Sequence, residues 1–477
     1  MSENKKLHPG KFALLGFQHM FAMFGATVLV PVLTGLPVPA TLLFAGLGTL
    51  LFHLVTKRCI PAFLGSSFAF LYGYGEVKKM VDAAAANGET FNWIPYAGVG
   101  VACAGLIYII VSALFRFFGP NKVMRLFPPV VTGPIIICIG MILANSAINN
   151  CANNWWIAIL AVGIVVAFNI WGKGMFKIIP ILLGVVGSYG LAAILAALFG
   201  HEAPVLNEAG EVVATNITLF ANGSFLLMDK AAVDALVAAP WIGLPVQMEN
   251  TVFSFFSTGV NGNLLASAIA MMAPIALATM MEHIGDMSAI SSTVGKNYIK
   301  DPGLHRSLLG DGLATSLAAI FGAPANTTYG ENTGVLALTK VYNPAVVRMA
   351  AVLAIVFSFS PKFAALVSCM PAATIGGVSL ILYGMISAVG VRNIVENQVD
   401  FTKSRNVIIA ALIMSLALGI NFSAAGAIKF AVGSVEISLS GLAVASIVGI
   451  LLNAVLPGND YKFGENEKGD QSVNFKV

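Results

Sequence analysis

Four acidic residues stand where acids are rare. Glu282 and Asp286 lie in the apolar run ALATMMEHIGDMSAIS, Asp311 in LLGDGLATSLAAIFG, and Glu331 directly after PANTTYG. Of the 22 Asp and Glu residues in the chain, nearly all the rest fall in polar loops or tails. An ionised acid at a bilayer centre costs about 2.5–3.5 kcal/mol on insertion scales, so such residues are functional candidates by default. Glu282 and Asp286 are four apart and share one helix face. Two close carboxylates in a low dielectric do not both ionise easily, and a group that takes and releases a proton is what proton-coupled transport requires. The bland reading pairs these acids with buried cations. Neither their span nor the stretches Pro61–Phe70 and Pro324–Asn332 contains Lys or Arg.

Other polar groups in apolar surroundings have two readings each. His19 follows Gln18 in GFQHMFAMFGATVLVPV. It either shuttles protons or, as a neutral imidazole, hydrogen-bonds between helices, and the adjacent Gln favours the second. Asp311 is either a hinge or network residue or an interfacial acid near Arg306. His283 points to a different face from Glu282, because adjacent helical residues do not face each other, and it receives no role. Nor does His53, at a span end.

The elements that position these groups follow from composition. The chain has 477 residues, 57% of them hydrophobic and only 10% charged, with a mean hydropathy of +0.85. Soluble domains carry roughly 25% charged residues, so a soluble enzyme is excluded, as is disorder. Five widely spaced cysteines without a CxxC pair argue against a disulfide framework or metal cluster. A formal net charge of +4 without a basic patch argues against nucleic acid. No cofactor motif is present. The polar start, MSENKKLHPGK, has no signal-peptide pattern, so the first span is expected to act as its own insertion signal.

One spanning helix needs about 20 apolar residues. Apolar runs occur at 12–34, 39–56, 60–75 (broken), 94–117, 127–147, 154–171 and 176–200, and then, after a polar stretch, at 263–290, 307–322, 323–340 (broken), 344–369, 371–391, 406–424 and 437–456. That is an all-α polytopic membrane protein of 14 transmembrane segments, seven and seven. With the N-terminus inside, only Lys78, Lys79, Lys230, Lys362 and Lys429 fall outside and the other 21 of the 26 Lys and Arg fall inside. Cytoplasmic loops hold the excess of these residues, so both termini are expected in the cytoplasm. Seven being odd, the second half enters from the opposite side, and the repeat is inverted.

The third segment of each half is unusual. Pro61 leads Gly65-Ser66-Ser67-Phe68, and Pro324 leads Thr327-Thr328-Tyr329-Gly330-Glu331-Asn332; in both, two hydroxyl residues precede an aromatic. Paired interrupted segments at matching positions point to a transporter's binding site; the bland reading is two Pro-kinked helices. Glu331 opens a half-helix, whose N-terminus offers unpaired N–H groups and a positive dipole end. A simple cap is the alternative there. Carboxylates that accept, N–H groups that donate and the aromatics Phe68 and Tyr329 suit a planar, neutral, amide-like molecule better than an anion.

From about Phe12 to the last span, the chain resembles the nucleobase–ascorbate transporter family. The resemblance rests on Gln18-His19, on Gly65-Ser66-Ser67-Phe68-Ala69-Phe70, on Glu282-His283-Ile284-Gly285-Asp286, and on the signature Glu331-Asn332-Thr333-Gly334 with Thr339-Lys340 four residues on. It departs in the insert 76–93, the loop 201–262 and the tail. The resemblance implies a 7+7 inverted repeat with short strands in segments 3 and 10 and a core domain beside a gate domain. The divisions are a cytoplasmic tail 1–11, core segments 1–4 (12–117), gate segments 5–7 (118–200), an external loop 201–262, core segments 8–11 (263–369), gate segments 12–14 (370–456) and a cytoplasmic tail 457–477.

Carried over by position, Glu282 and Glu331 hold a nucleobase by its N–H groups. The backbone of Phe68 and Gly330 donates to its carbonyls, Ala26 and Tyr329 line the pocket, and Asp286 with Glu282 couples the proton. Gln18, His19, Ser66, Ser67, Asp311 and Asn332 support the site. The implied activity is proton symport of uracil across the cytoplasmic membrane, with no metal or cofactor, by a homodimer joined at the gate domains. Xanthine or urate is the alternative. Asp286 and Asp311 match the purine-carrying pattern, where uracil carriers have His and Asn, whereas Tyr329-Gly330-Glu331-Asn332 matches the uracil pattern. An anion carrier or channel would need a positive site, and a membrane enzyme a nucleophile constellation; neither is seen.

Overall fold

The computed structural model of the protein describes residues 9–85, 91–206, 212–433, 435–459 and 461. The chain runs through α1 (Pro9–Thr34), α2 (Val38–Val55), strand β1 (Leu64–Ser66), one 3-10 turn (Phe68–Phe70) and α3 (Leu71–Ala85). It continues through α4 (Trp93–Phe118), the short α5 (Pro120–Val123), α6 (Pro129–Ala152), α7 (Trp155–Trp171), the short α8 (Met175–Ile178) and α9 (Pro180–Phe199). Strands β2 (His201–Leu206), β3 (Val212–Thr218) and β4 (Leu226–Asp229) follow as one antiparallel sheet, then α10 (Lys230–Ala238) and α11 (Phe255–Thr258).

The second half comprises α12 (Gly262–Met272), α13 (Ala276–Val294), α14 (Leu304–Ile320), β5 (Asn326–Thr328), α15 (Gly330–Thr339), α16 (Pro344–Ser358), α17 (Pro361–Ser368), α18 (Ala372–Glu396) and α19 (Ser404–Asn421). A hairpin of β6 (Ala427–Val432) and β7 (Val435–Ser440) leads into α20 (Gly441–Val455). The expectation of an all-α chain with strands only in segments 3 and 10 is therefore corrected. The polar stretch folds into a sheet because VVATNIT is rich in β-branched residues, and the hairpin forms where AIKFAV and VEISLS flank a turn with Gly433 at φ +63. The last helix accordingly starts at Gly441, not near 437.

Among the described residues, seven helices are long and apolar enough to cross a membrane; α16 and α17, bent by 92° at their junction, would make an eighth if they are one span. Large apolar side chains stay exposed on the outer helices, Ile110, Ile159, Ile194 and Ile408 among them. Exposure on this scale suits contact with acyl chains rather than water. On α7 the exposed indoles of Trp156 and Trp171 mark the two ends of an apolar helix, at about 1.5 Å per residue roughly 23 Å apart. That is the arrangement of an aromatic belt.

Inside, α14 packs along α4, α16 along α2 and α18 along α6. Glycines allow these close approaches. A methyl group at Gly105 would lie 2.6 Å from Gly312 O, and one at Gly312 2.5 Å from Tyr108 Cβ; likewise one at Gly390 would lie 2.7 Å from Gly133 O. Helices in lipid gain from such contact because small residues bring backbones together. Gly312→Val should separate α4 from α14 and destabilise the protein by about 1–3 kcal/mol or more, read as a lower thermal midpoint in detergent; an unchanged midpoint would refute this packing.

Candidate functional site

Strands β1 and β5 cross in the middle of the helices. They pair antiparallel, Leu64 with Thr328, Gly65 with Thr327 and Ser66 with Asn326. Beyond the paired residues, Ser67 N–H donates to Ala325 O (2.8 Å) and Tyr329 N–H to Phe63 O (3.0 Å). Three residues of strand cannot satisfy their own backbone, so side chains from neighbouring helices do so. Leu64 N–H donates to Thr49 Oγ1 (2.9 Å), which also reaches Leu64 O (3.2 Å). Thr315 Oγ1 donates to Asn326 O (2.7 Å), and Ala325 N–H donates to Tyr74 Oη (2.8 Å). His53 Nε2 lies 2.9 Å from Ala62 O, Asn326 Nδ2 donates to Phe44 O (2.9 Å), and Ser66 Oγ donates to Thr27 O (2.9 Å).

These bonds relate the two broken segments. Thr49 serves the carbonyl of Leu64 as Thr315 serves that of Asn326, so Leu64 corresponds to Asn326, Ser66 to Thr328 and Ser67 to Tyr329. The two hydroxyl-hydroxyl-aromatic triplets are thus offset by one, and the counterpart of Phe68 in the second segment is Gly330. The helices that follow, the 3-10 turn with α3 and then α15, leave from opposite ends of the crossing, with their N-termini turned back to it. Neither has a side-chain cap from its N-cap residue, Ser67 or Tyr329, and the first N–H groups of a helix have no intrahelical acceptor.

The acids of α13 meet this crossing. Asp286, 6% exposed, accepts from Thr328 Oγ1 at 2.9 Å. A methyl at Gly330 would lie 3.5 Å from Asp286 Oδ1, so the carboxylate flanks the start of α15. Glu282 lies one turn earlier and is partly exposed. The ring of Phe68 packs edge-on against the buried Tyr383 of α18, with centroids 5.3 Å apart. Tyr329 tucks beneath β1; a methyl at Gly65 would lie 2.5 Å from its Cε2, and its hydroxyl donates to Ser66 O (2.9 Å). Asn332 Nδ2 donates to His19 Nδ1 (3.3 Å), tying α15 to α1, where Gln18 is also buried. Ser67 Oγ is buried without a hydrogen-bond partner among the described residues. The side chains of Ala26 and Glu331 lie outside the described residues; their backbones lie within α1 and on the first turn of α15.

Asp311 is fully buried and sits 3.1 Å from His283 Nδ1. It is not at Arg306, whose guanidinium holds Val55 O (3.1 Å). His283 was passed over because it turns away from Glu282, and the same turn aims it at Asp311 and Thr328. The available signal was polar residues four apart in apolar helices. Thr49 and His53 on α2, and Asp311 and Thr315 on α14, each pair one face toward the crossing. Thr315→Val would leave Asn326 O buried without its donor, at about 1–3 kcal/mol. Thermal unfolding in detergent should show that loss, and Thr315→Ser should restore most of it.

In fold, the chain is like the transmembrane domain of the cyanobacterial bicarbonate transporter BicA, with a TM-score of 0.57 at 14% identity over 93% of this chain and 96% of that one. It is likewise similar to SLC26A9, with a TM-score of 0.58 at 10% identity over 93% of this chain and 64% of that one. At these identities the likeness is one of fold. A model of the Permease family matches residues 10–426. The uracil permease of Bacillus caldolyticus is 37% identical, covering 94% of this chain and 93% of the relative; that of Bacillus subtilis is 36% identical, covering 94% of each. The putative pyrimidine permease RutG of Escherichia coli is 35% identical over 96% of this chain and 92% of its own. The chain belongs to the nucleobase–ascorbate transporter family of permeases, and it is a multi-pass membrane protein.

Proposed function

We propose that the protein is a proton-coupled symporter that imports uracil across the cytoplasmic membrane by alternating access. The observation that carries the reading is the strand crossing, where two helix N-termini turn toward one place and the Asp286 carboxylate stands beside one of them. Uracil has two N–H donors, two carbonyl acceptors and a flat face. In this reading Glu282 and Glu331 accept its N–H groups, and the N–H groups of Phe68 and Gly330 meet its carbonyls. Ala26 and Tyr329 shape the pocket, and Asp286 with Glu282 carries the coupled proton. Relatives described as uracil and pyrimidine permeases support the substrate class.

The chain is proposed to form 14 segments in a 7+7 inverted repeat, which the matched bonding of β1 and β5 supports. Segments 1–4 and 8–11 (12–117 and 263–369) are the core, and segments 5–7 and 12–14 (118–200 and 370–456) the gate. Packing of α14 on α4 and α16 on α2, separate from that of α18 on α6, supports this division. The core moves against the gate, both termini lie in the cytoplasm, and two copies join through their gates. A purine such as xanthine is the second reading, favoured by Asp at positions 286 and 311.

Labelled uracil and xanthine uptake into proteoliposomes, with and without an inward proton gradient, separates these readings. Gradient-driven accumulation of uracil is expected; accumulation of xanthine alone would overturn the substrate, and uptake indifferent to the gradient would overturn the coupling. Glu331→Gln removes a charged acceptor and should weaken uracil binding about tenfold to a hundredfold, measured by equilibrium binding of labelled uracil to purified protein.

A further inference from the structure

Behind Asp286 lies a row of titratable groups that the proposed function leaves unused. Thr328 Oγ1, which donates to Asp286 Oδ2 at 2.9 Å, is also 3.3 Å from His283 Nδ1. Nδ1 in turn is 3.1 Å from Asp311 Oδ2, and both side chains are fully buried. On the far side of the ring, Nε2 is 3.0 Å from Ser307 Oγ, whose hydroxyl donates to Leu304 O at 3.1 Å. A hydroxyl already donating can only accept, so Nε2 carries a hydrogen and Nδ1 is the variable atom. Apart from that close approach to His283, neither oxygen of Asp311 has a hydrogen-bond partner among the described residues.

A buried carboxyl whose neighbour is an imidazole nitrogen must share a proton with it, as imidazolium and carboxylate or as imidazole and carboxylic acid. In both forms Nδ1 has no free lone pair. The Thr328 hydrogen is thereby denied one of its two acceptors and is directed to the other, Asp286.

We propose that His283 and Asp311 are positioning residues that aim the Thr328 hydroxyl at Asp286 and so set how readily Asp286 takes the coupled proton. The inference rests on the proton-symport reading above. Other groups facing His283 and Asp286 leave this arrangement in place. Glu282 shares their helix, and the buried Tyr108 of α4 lies within electrostatic reach of Asp311, Glu282 and Asp286. Phe52 of α2 packs edge-on to the imidazole with centroids 6.3 Å apart, and α6 presents Ile136 to Gly285. Helix α20 has no titratable residue in its sequence, Lys300 and Asp301 before α14 are exposed, and the side chain of Glu331 on α15 lies outside the described residues.

The consequence is specific to Ala rather than Asn at position 311. Asp311→Ala frees the Nδ1 lone pair, which then competes for the Thr328 hydrogen. Asp311→Asn still offers Nδ1 a hydrogen-bonding partner and leaves Thr328 aimed as before. Thr328→Val removes the donor outright, and Thr328→Ser keeps it. The test is the pH profile of gradient-driven uracil uptake into proteoliposomes. Loss of one hydrogen bond to a carboxylate should move the midpoint up by about one to two pH units in Thr328→Val, and in the same direction in Asp311→Ala. The double variant should shift no further than Thr328→Val alone, because both remove one interaction. Asp311→Asn and Thr328→Ser should stay near the parent profile.

Equal behaviour of Asp311→Asn and Asp311→Ala, additive shifts, or an unmoved profile in Thr328→Val would overturn the proposal; the last comparison decides it even if Asp311→Ala does not fold. If uptake by the unaltered protein ignores the proton gradient, the symport reading itself fails and takes the inference with it. A proton-dependent parent with unmoved variants sinks the inference alone.

Discussion

Backbone that leaves the helix inside an apolar layer has no water to bond, and each unmet N–H or C=O costs several kcal/mol. The crossing of β1 and β5 is such backbone, and much of the interior is arranged around meeting its needs. Three-residue strands bond to each other, and Thr49, Thr315, Tyr74 and His53 supply or take up further bonds of this backbone. The polar side chains scattered through α2, α3 and α14 thereby acquire a common purpose. Each anchors a backbone group whose place in the membrane would otherwise be untenable.

The return on this construction is two helix starts inside the protein. A continuous span would place its N-terminus at the membrane surface, where water screens it. The breaks at β1 and β5 place helix starts in the interior instead, and that of α15 lies beside the carboxylate of Asp286. Anion and dipole favour each other there, so an acid that would be costly alone becomes tolerable. In the proposed reading the same dipole end supplies backbone donors to a ligand that carries carbonyls. In that reading the site combines acceptors from side chains with donors from the main chain, a combination that neutral polar rings match.

Close packing comes from the choice of small residues. Gly105 against Gly312 and Gly133 against Gly390 let paired helices touch backbone to backbone, fixing α14 to α4 and α18 to α6. The contact between Phe68 and Tyr383 is different in kind, an edge-on meeting of two rings that can separate without breaking a hydrogen bond. The proposed movement of core against gate calls for rigid pairs within each body and contacts of this weaker sort at the boundary.

Much was legible in the chain itself. Hydrophobic runs located most of the long helices to within about five residues, because the bilayer imposes a minimum length and forbids charge over it, but α3 runs on to Ala85, past the run 60–75. The scarcity of acids made Asp286, Asp311, Glu282 and Glu331 conspicuous, and proline with paired hydroxyls marked both broken segments. What the residues alone could not decide was pairing. The correspondence between the two broken segments is offset by one from their hydroxyl-hydroxyl-aromatic triplets, since backbone hydrogen bonds and not side-chain types set it. Asp311 belonged either to Arg306 or to a buried network, and only packing of α14 against α13 placed it on His283. His283 was discounted from helix geometry that was correct but incomplete, because the face turned away from one acid was turned toward another. A single sequence states which groups a membrane protein can ill afford to bury; the tertiary fold alone decides which neighbour makes each one bearable.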